Sequence, residues 1–114
     1  MMRGDLAEDA ALKLLKRHGL RPLMRNFRCR GGELDLVMLD GEVLVVIEVR
    51  ARTHGAWGGA TESIDARKQQ RIVHATQLFV AARPEHARRA IRFDVVLFEG
   101  DAAPQWIAAA FDGF

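Results

Sequence analysis

Apolar residues open the chain at helical spacing. Ala7, Ala11, Leu12, Leu14 and Leu15 fall on one stripe, while Asp9, Lys13, Lys16 and Arg17 take the opposite side. Asp5 is placed to cap this helix, which is predicted to run to about His18, where Gly19 ends it. Glu8 breaks the division of faces: on the helical wheel it lies between Leu15 and Leu12, at the border of the apolar stripe. Shorter apolar runs follow. Arg21–Arg28 reads as a first strand, Cys29–Gly32 as a turn, and Leu34–Leu39 and Val43–Val49 as two further strands joined by a hairpin turn at Asp40-Gly41. Thr53–Ala60 is a glycine-rich loop. Asp65 can cap a second helix from Ala66 to about Arg83, stopped by Pro84, with Ile72, Ala75, Thr76, Phe79 and Ala82 as its core stripe. Ala90–Phe98 and Gln105–Phe111 read as the last two strands, with Phe93, Val95 and Leu97 in the core. The order α-β-β-β-α-β-β predicts an α/β protein, a central mixed sheet flanked by helices, in a single domain spanning residues 1–114.

Composition narrows the setting. A chain of 114 residues, 49% hydrophobic and 28% charged, suits one globular domain with a real core. Cys29 is the sole cysteine, so an intramolecular disulfide is impossible and a reducing cytoplasm is the expectation. No apolar run approaches the roughly 20 residues of a membrane helix, and the opening residues do not read as a signal peptide. A net charge of +2 does not by itself require nucleic acid. The choice of base is more informative: of 17 basic residues only Lys13, Lys16 and Lys68 are lysine, and arginine favours bidentate phosphate contacts. A general bias toward arginine and alanine gives the same count.

The hairpin carries the chemistry. A turn centred on Asp40-Gly41 sets Leu39 opposite Glu42 and Asp35 opposite Val46, which makes Glu48 a same-face diagonal neighbour of Asp35. Glu33, Asp35, Glu48 and Arg50 then share a face. Two carboxylates in apolar strands repel and lose hydration, so one takes a proton or a cation sits between them. Hard oxygen donors suit Mg²⁺ or Mn²⁺, with the Val49 carbonyl able to complete the shell. An ion held there activates water and neutralises phosphoryl charge. Glu8 is a third acid able to face the same site. The plainer alternative is that these acids are half-exposed residues paired with Arg50, Arg52 or Arg28.

Arg25, Arg28, Arg30 and Arg52 flank the hairpin, and Arg71 lies on the second helix; all five are candidates for phosphate contacts, or else solvated charges. Trp57 in the glycine-rich loop could stack on an unpaired base or cover the core edge. His54 reads as a loop residue, the four histidines lack zinc spacing, Cys29 lacks a catalytic partner, and neither a Walker loop nor a dinucleotide fingerprint occurs.

"AED" in the first helix, "RNFRCRGGELDLV", "VIEVRAR", "RKQQRI", "RFDVV" and "AAAF" together resemble the small bacterial YraN-like family, uncharacterised protein family 0102, in order and over nearly the whole chain. That family is similar to PD-(D/E)xK nucleases of the restriction-endonuclease-like fold, particularly archaeal Holliday junction resolvases. The resemblance implies Glu8, Asp35 and Glu48 as catalytic and metal-site acids, Mg²⁺ or Mn²⁺ as cofactor, branched DNA (with RNA as the alternative) as partner, and a homodimer. Arg50 departs from it, since lysine is usual there. Arginine stays protonated and is a poor general base. Lys68, in the first turn of the second helix on its core-facing side, is a candidate to take that role, or else a snorkelling surface lysine. The implied function is a metal-dependent endonuclease; the rivals are a noncatalytic nucleic-acid-binding or assembly protein on the same fold, and a protein-interaction module.

Overall fold

Strands that are apolar on every residue need cover on both faces. Val37, Met38 and Leu39, and then Leu44 through Ile47, are all buried, so strict alternation of apolar and polar positions fails across the middle of the sheet. The computed structural model, which describes residues 4–52 and 64–113, meets that demand with one helix on each face. The elements are α1 (Gly4–Arg17), β1 (Arg21–Cys29), β2 (Gly32–Asp40), β3 (Val43–Arg52), α2 (Ala66–Ala81), a 3₁₀ turn (Pro84–His86), β4 (Ile91–Glu99) and β5 (Gln105–Phe111). The predicted order is observed, and the arrangement is that of a restriction-endonuclease-like α/β fold.

The five strands lie in the order β1-β2-β3-β4-β5. β3 and β4 run parallel and the other neighbours antiparallel. A parallel pair requires a crossover, and α2 supplies it. On one face Ala7, Ala11 and Leu15 of α1 pack with Leu36, Met38, Val45, Ile47, Val96 and Phe98. On the other, Ile72, Ala75 and Phe79 of α2 pack with Leu34, Val37, Leu44, Val46, Phe93 and Val95.

Local expectations are corrected at the end of the second helix and at the hairpin turn. The second helix ends at Ala81 rather than Arg83, leaving Ala82 exposed beyond it as the C-cap. The hairpin turn is Gly41-Glu42, one residue later than predicted, because Asp40 pairs with Val43. Gly41 has φ +59, the left-handed value that a type II′ turn asks of its first central residue. The face alternation also slips beside the acids. Leu34 packs on the α2 side and Leu36 on the α1 side, although they are two residues apart. On β1, Met24 and Phe27 both pack toward α2, with Asn26 at φ +55 between them. The loop expected at Thr53–Ala60, with His54 and Trp57, lies outside the described residues.

Sequence periodicity did not single out one buried acid. Asp94 is fully buried and accepts from Arg92 Nε (2.9 Å) and Nη2 (3.0 Å), from Trp106 Nε1 (3.0 Å) and from the Ala109 amide (2.9 Å). Arg92 Nη1 continues to Asp40 Oδ2 at 3.0 Å, tying β2 to β4 and β5. The register of β4 against β5 shifts between Phe93 and Val95, and Ala109 takes φ +52 there, with its amide turned to Asp94. A buried carboxylate is tolerable when its lone pairs are met this fully. Removing it leaves the Arg92 cation with Asp40 alone and the Trp106 and Ala109 donors unmet: Asp94→Ala is expected to lower unfolding free energy by about 3–5 kcal/mol. Ala109→Gly is expected to raise it by about 0.5–1 kcal/mol, since glycine accepts the left-handed conformation without strain. Urea denaturation of both variants checks the pair.

Candidate active site

The acids sit where two strands part. β2 and β3 pair from Asp40↔Val43 to Leu36↔Ile47. Continued by one step, that register sets Asp35 opposite Glu48, not diagonal to it. The backbone pairing stops at Leu36↔Ile47, and Asp35 Oδ2 instead accepts from the Val49 amide at 2.8 Å. A side chain thus takes the place of a ladder carbonyl, and its own carboxylate is held in the gap beside Glu48.

Burial makes this pair costly. Glu48 is 6% exposed. Burial pushes its carboxyl up to about 7; the nearby Asp35 charge pushes the same way, and Lys68 and Arg50 pull back. Asp35 is also raised, first by burial. The Val49 amide and Lys68 oppose that rise, while the charges of Glu8 and Glu33 add to it.

The nearest cation comes from the far side of the crossover. Asp65, in extended conformation (φ −75, ψ 172), caps α2 by accepting from the Lys68 amide at 2.8 Å. Gln69 Nε2 donates to the Ile64 carbonyl at 3.0 Å and holds the entry to the helix. Lys68 therefore lies in the first turn, with Nζ 3.3 Å from Glu48 Oε1. Arg50, from the same strand as Glu48, places Nη1 3.7 Å from the same oxygen.

Other expected site residues are dispersed. Glu8 is near enough to raise Asp35, but its Oε1 is engaged by Arg25 Nε at 3.2 Å. Arg25 also donates to Asp9 and to the Asp5 carbonyl, so its guanidinium is spent on α1. Among the described residues no group of three or more His, Cys, Asp or Glu side chains is arranged to hold a metal ion. Arg52 pairs with Glu99 on β4 at 3.1 Å. Arg30 is exposed, and its carbonyl lies 3.1 Å from His74 Nε2. His74 is itself exposed and reaches the β1–β2 turn from α2.

Arg28 and Arg71 do come together. With Lys68 and Glu33 they rim an open cleft of about 410 Å³ between that turn and α2, floored by Cys29 and Ile72. Arg28 pairs with Glu33 at 3.3 Å. Sequence reasoning passed over Gly32, which sets this cleft: a Cβ there would sit 2.5 Å from the Arg71 carbonyl, so the turn can approach the helix only as glycine. The doubled Gly31-Gly32 was the available signal.

The model of the family described as "Uncharacterised protein family UPF0102" matches residues 7–98. A protein of Ectopseudomonas mendocina (strain ymp) named "UPF0102 protein" is 52% identical over 111 residues, covering 96% of this chain and 93% of its own. One of Pseudomonas aeruginosa (strain LESB58), with the same name, is 50% identical over 115 residues, covering 96% and 92%.

Glu48 holds its proton more tightly in the folded chain than in the unfolded one. Its contribution therefore favours folding at low pH and declines as pH rises from about 4.5 toward about 7. Between about pH 5 and pH 8 this group is expected to remove on the order of 2 kcal/mol of stability, and Glu48→Gln is expected to flatten that slope. Urea midpoints at the two pH values measure it; an equal decline in the variant would assign the slope to other groups.

Proposed function

This chain belongs to the uncharacterised protein family UPF0102, and we propose that it acts as a divalent-metal-dependent nuclease hydrolysing phosphodiester bonds in DNA. The carrying observation is the facing pair Asp35 and Glu48 at the strand fork, with the Lys68 ammonium 3.3 Å from Glu48. The donor chemistry fits a small hard cation. Two desolvated carboxylates, both with raised proton affinity and the charge of Asp35 adding to that of Glu48, are relieved by Mg²⁺ or Mn²⁺, and Mg²⁺ keeps several waters, so one or two protein carboxylates suffice. Asp35 and Glu48 would hold the ion, with Glu8 supporting the site by its charge. When bound, such an ion supplies an activated water and neutralises phosphoryl charge.

The chain's own groups do the rest. The Val49 amide fixes the orientation of Asp35. Lys68 and Arg50 lie on one side of Glu48 and are placed to receive the scissile phosphate, Lys68 as a compact donor and Arg50 as a forked one. Lys68 comes from the helix, so the site has a lysine although its strand motif reads Glu48-Val49-Arg50. A second reading, a noncatalytic nucleic-acid-binding or assembly protein on this fold, is favoured by the engagement of Glu8 with Arg25 and by arginine at position 50.

Purified protein incubated with branched, flapped and linear DNA is expected to cleave with Mn²⁺ and not with EDTA. Asp35→Asn and Glu48→Gln are each expected to lower the rate at least about a hundredfold. Cleavage that survives Asp35→Ala would sink the assignment, and DNA binding without metal-dependent cleavage would favour the second reading. If Lys68→Ala cleaves like wild type while Arg50→Ala is dead, Lys68 has no part in the chemistry.

A further inference from the structure

The cleft beside the acids has a chemistry of its own. Three cations, Arg28, Lys68 and Arg71, face one carboxylate, Glu33, across its rim. Arg28 is paired with Glu33 and Lys68 with Glu48. Among the described residues, no hydrogen bond or ion pair engages the exposed Arg71 guanidinium, which leaves it for an outside anion. The floor is different in kind. Ile72 is buried, Cys29 is half-buried with its Sγ 3.4 Å from the Gly32 carbonyl, and Gly31 and Gly32 present backbone without side chains. A volume of about 410 Å³ lies within the range of small-molecule sites, roughly 300–1,000 Å³, and exceeds what a bare phosphate needs. Lys68 belongs both to the rim and to the acid pair, so an occupant of the cleft lies next to the phosphodiester bound there.

We propose that this cleft receives one unpaired nucleotide of the nucleic acid strand, its phosphate on Arg71 and Arg28 and its ring against the Gly31-Gly32 backbone and Ile72. Planar rings pack on flat backbone and apolar surface without regard to base identity, and arginine holds phosphate bidentately, so the selection is for an unpaired nucleotide and not for sequence. A duplex base is stacked on both sides and cannot enter without being turned out. The inference rests on the nuclease reading for its place in a reaction, since it makes unpaired nucleotides next to the cut the mark of the substrate; binding itself does not need that reading.

The test therefore measures binding without metal. The full chain, labelled with ¹⁵N and held in EDTA, is titrated with dAMP, with dTMP and with inorganic phosphate. Both nucleotides are expected to shift the Gly31, Gly32, Arg71 and Ile72 amides saturably, and phosphate to bind at least about tenfold more weakly. Arg71→Ala is expected to weaken nucleotide binding about tenfold, and Arg88→Ala, at an exposed arginine far from the cleft, to leave it unchanged. Phosphate binding as tightly as nucleotide, equal losses in the two variants, or no shift at the cleft amides would each overturn the proposal. Nucleotide binding with no DNA cleavage would instead overturn the nuclease reading and leave the cleft assignment standing.

Discussion

A sheet covered on both faces leaves its central strand no route to water except at its ends, and the rest of the molecule answers to that constraint. β3 lies between β2 and β4, with Leu44 and Val46 under α2 and Val45 and Ile47 under α1. Its buried run continues through Glu48, so the last residue sealed from water is a carboxylate. An isolated buried charge costs several kcal/mol. The fold offsets this by starting α2 beside the end of β3, which brings Lys68 to Glu48, and by placing Arg50 two residues further along the strand. The offset is incomplete, because Asp35 shares the gap and Glu48 remains pushed up to about 7.

The second acid buried in this sheet is treated in the opposite way. Asp94 is met by two arginine nitrogens, an indole N–H and a backbone amide, all within 3.0 Å. Its donors are fixed by β4 and β5, and among the described residues Arg92 is shared only with Asp40. Asp94 is a structural acid: it satisfies a register shift and closes the sheet. Around Glu48 the cations stand on flexible stems at 3.3 and 3.7 Å, and on the β2 side the neighbouring charge is another acid, Asp35. A pair whose environment raises both proton affinities, at the mouth of a cleft, is the pattern that functional sites show.

Position within the fold reinforces the contrast. The acid pair lies toward the carboxyl end of the parallel strand β3, beside the first turn of the crossover helix, where open α/β sheets place their ligands. The β1–β2 turn closes one wall of that region because Gly32 lets it touch the backbone of Arg71. Cleft and acid pair are thus produced by the same packing of α2 on β2, with Lys68 common to both.

Much of this is legible in the sequence. Helical spacing identifies the buried faces of both helices, from Ala7, Ala11 and Leu15 to Ile72, Ala75 and Phe79, because burial of one stripe is a local requirement. Period-two geometry brings Asp35 and Glu48 together even with the turn placed one residue early, since that error only moves the pair from diagonal to opposite. The end of the β2–β3 ladder, the capture of the Val49 amide by Asp35, the holding of Glu8 by Arg25 and the meeting of Arg92 with Asp40 and Asp94 are not legible in this way. By itself the sequence determined the elements, their order and which acids share a strand pair. Only the tertiary structure decided which cation each acid meets, because that depends on how helices seat on the sheet and how far side chains reach between elements distant along the chain, and local periodicity carries neither quantity.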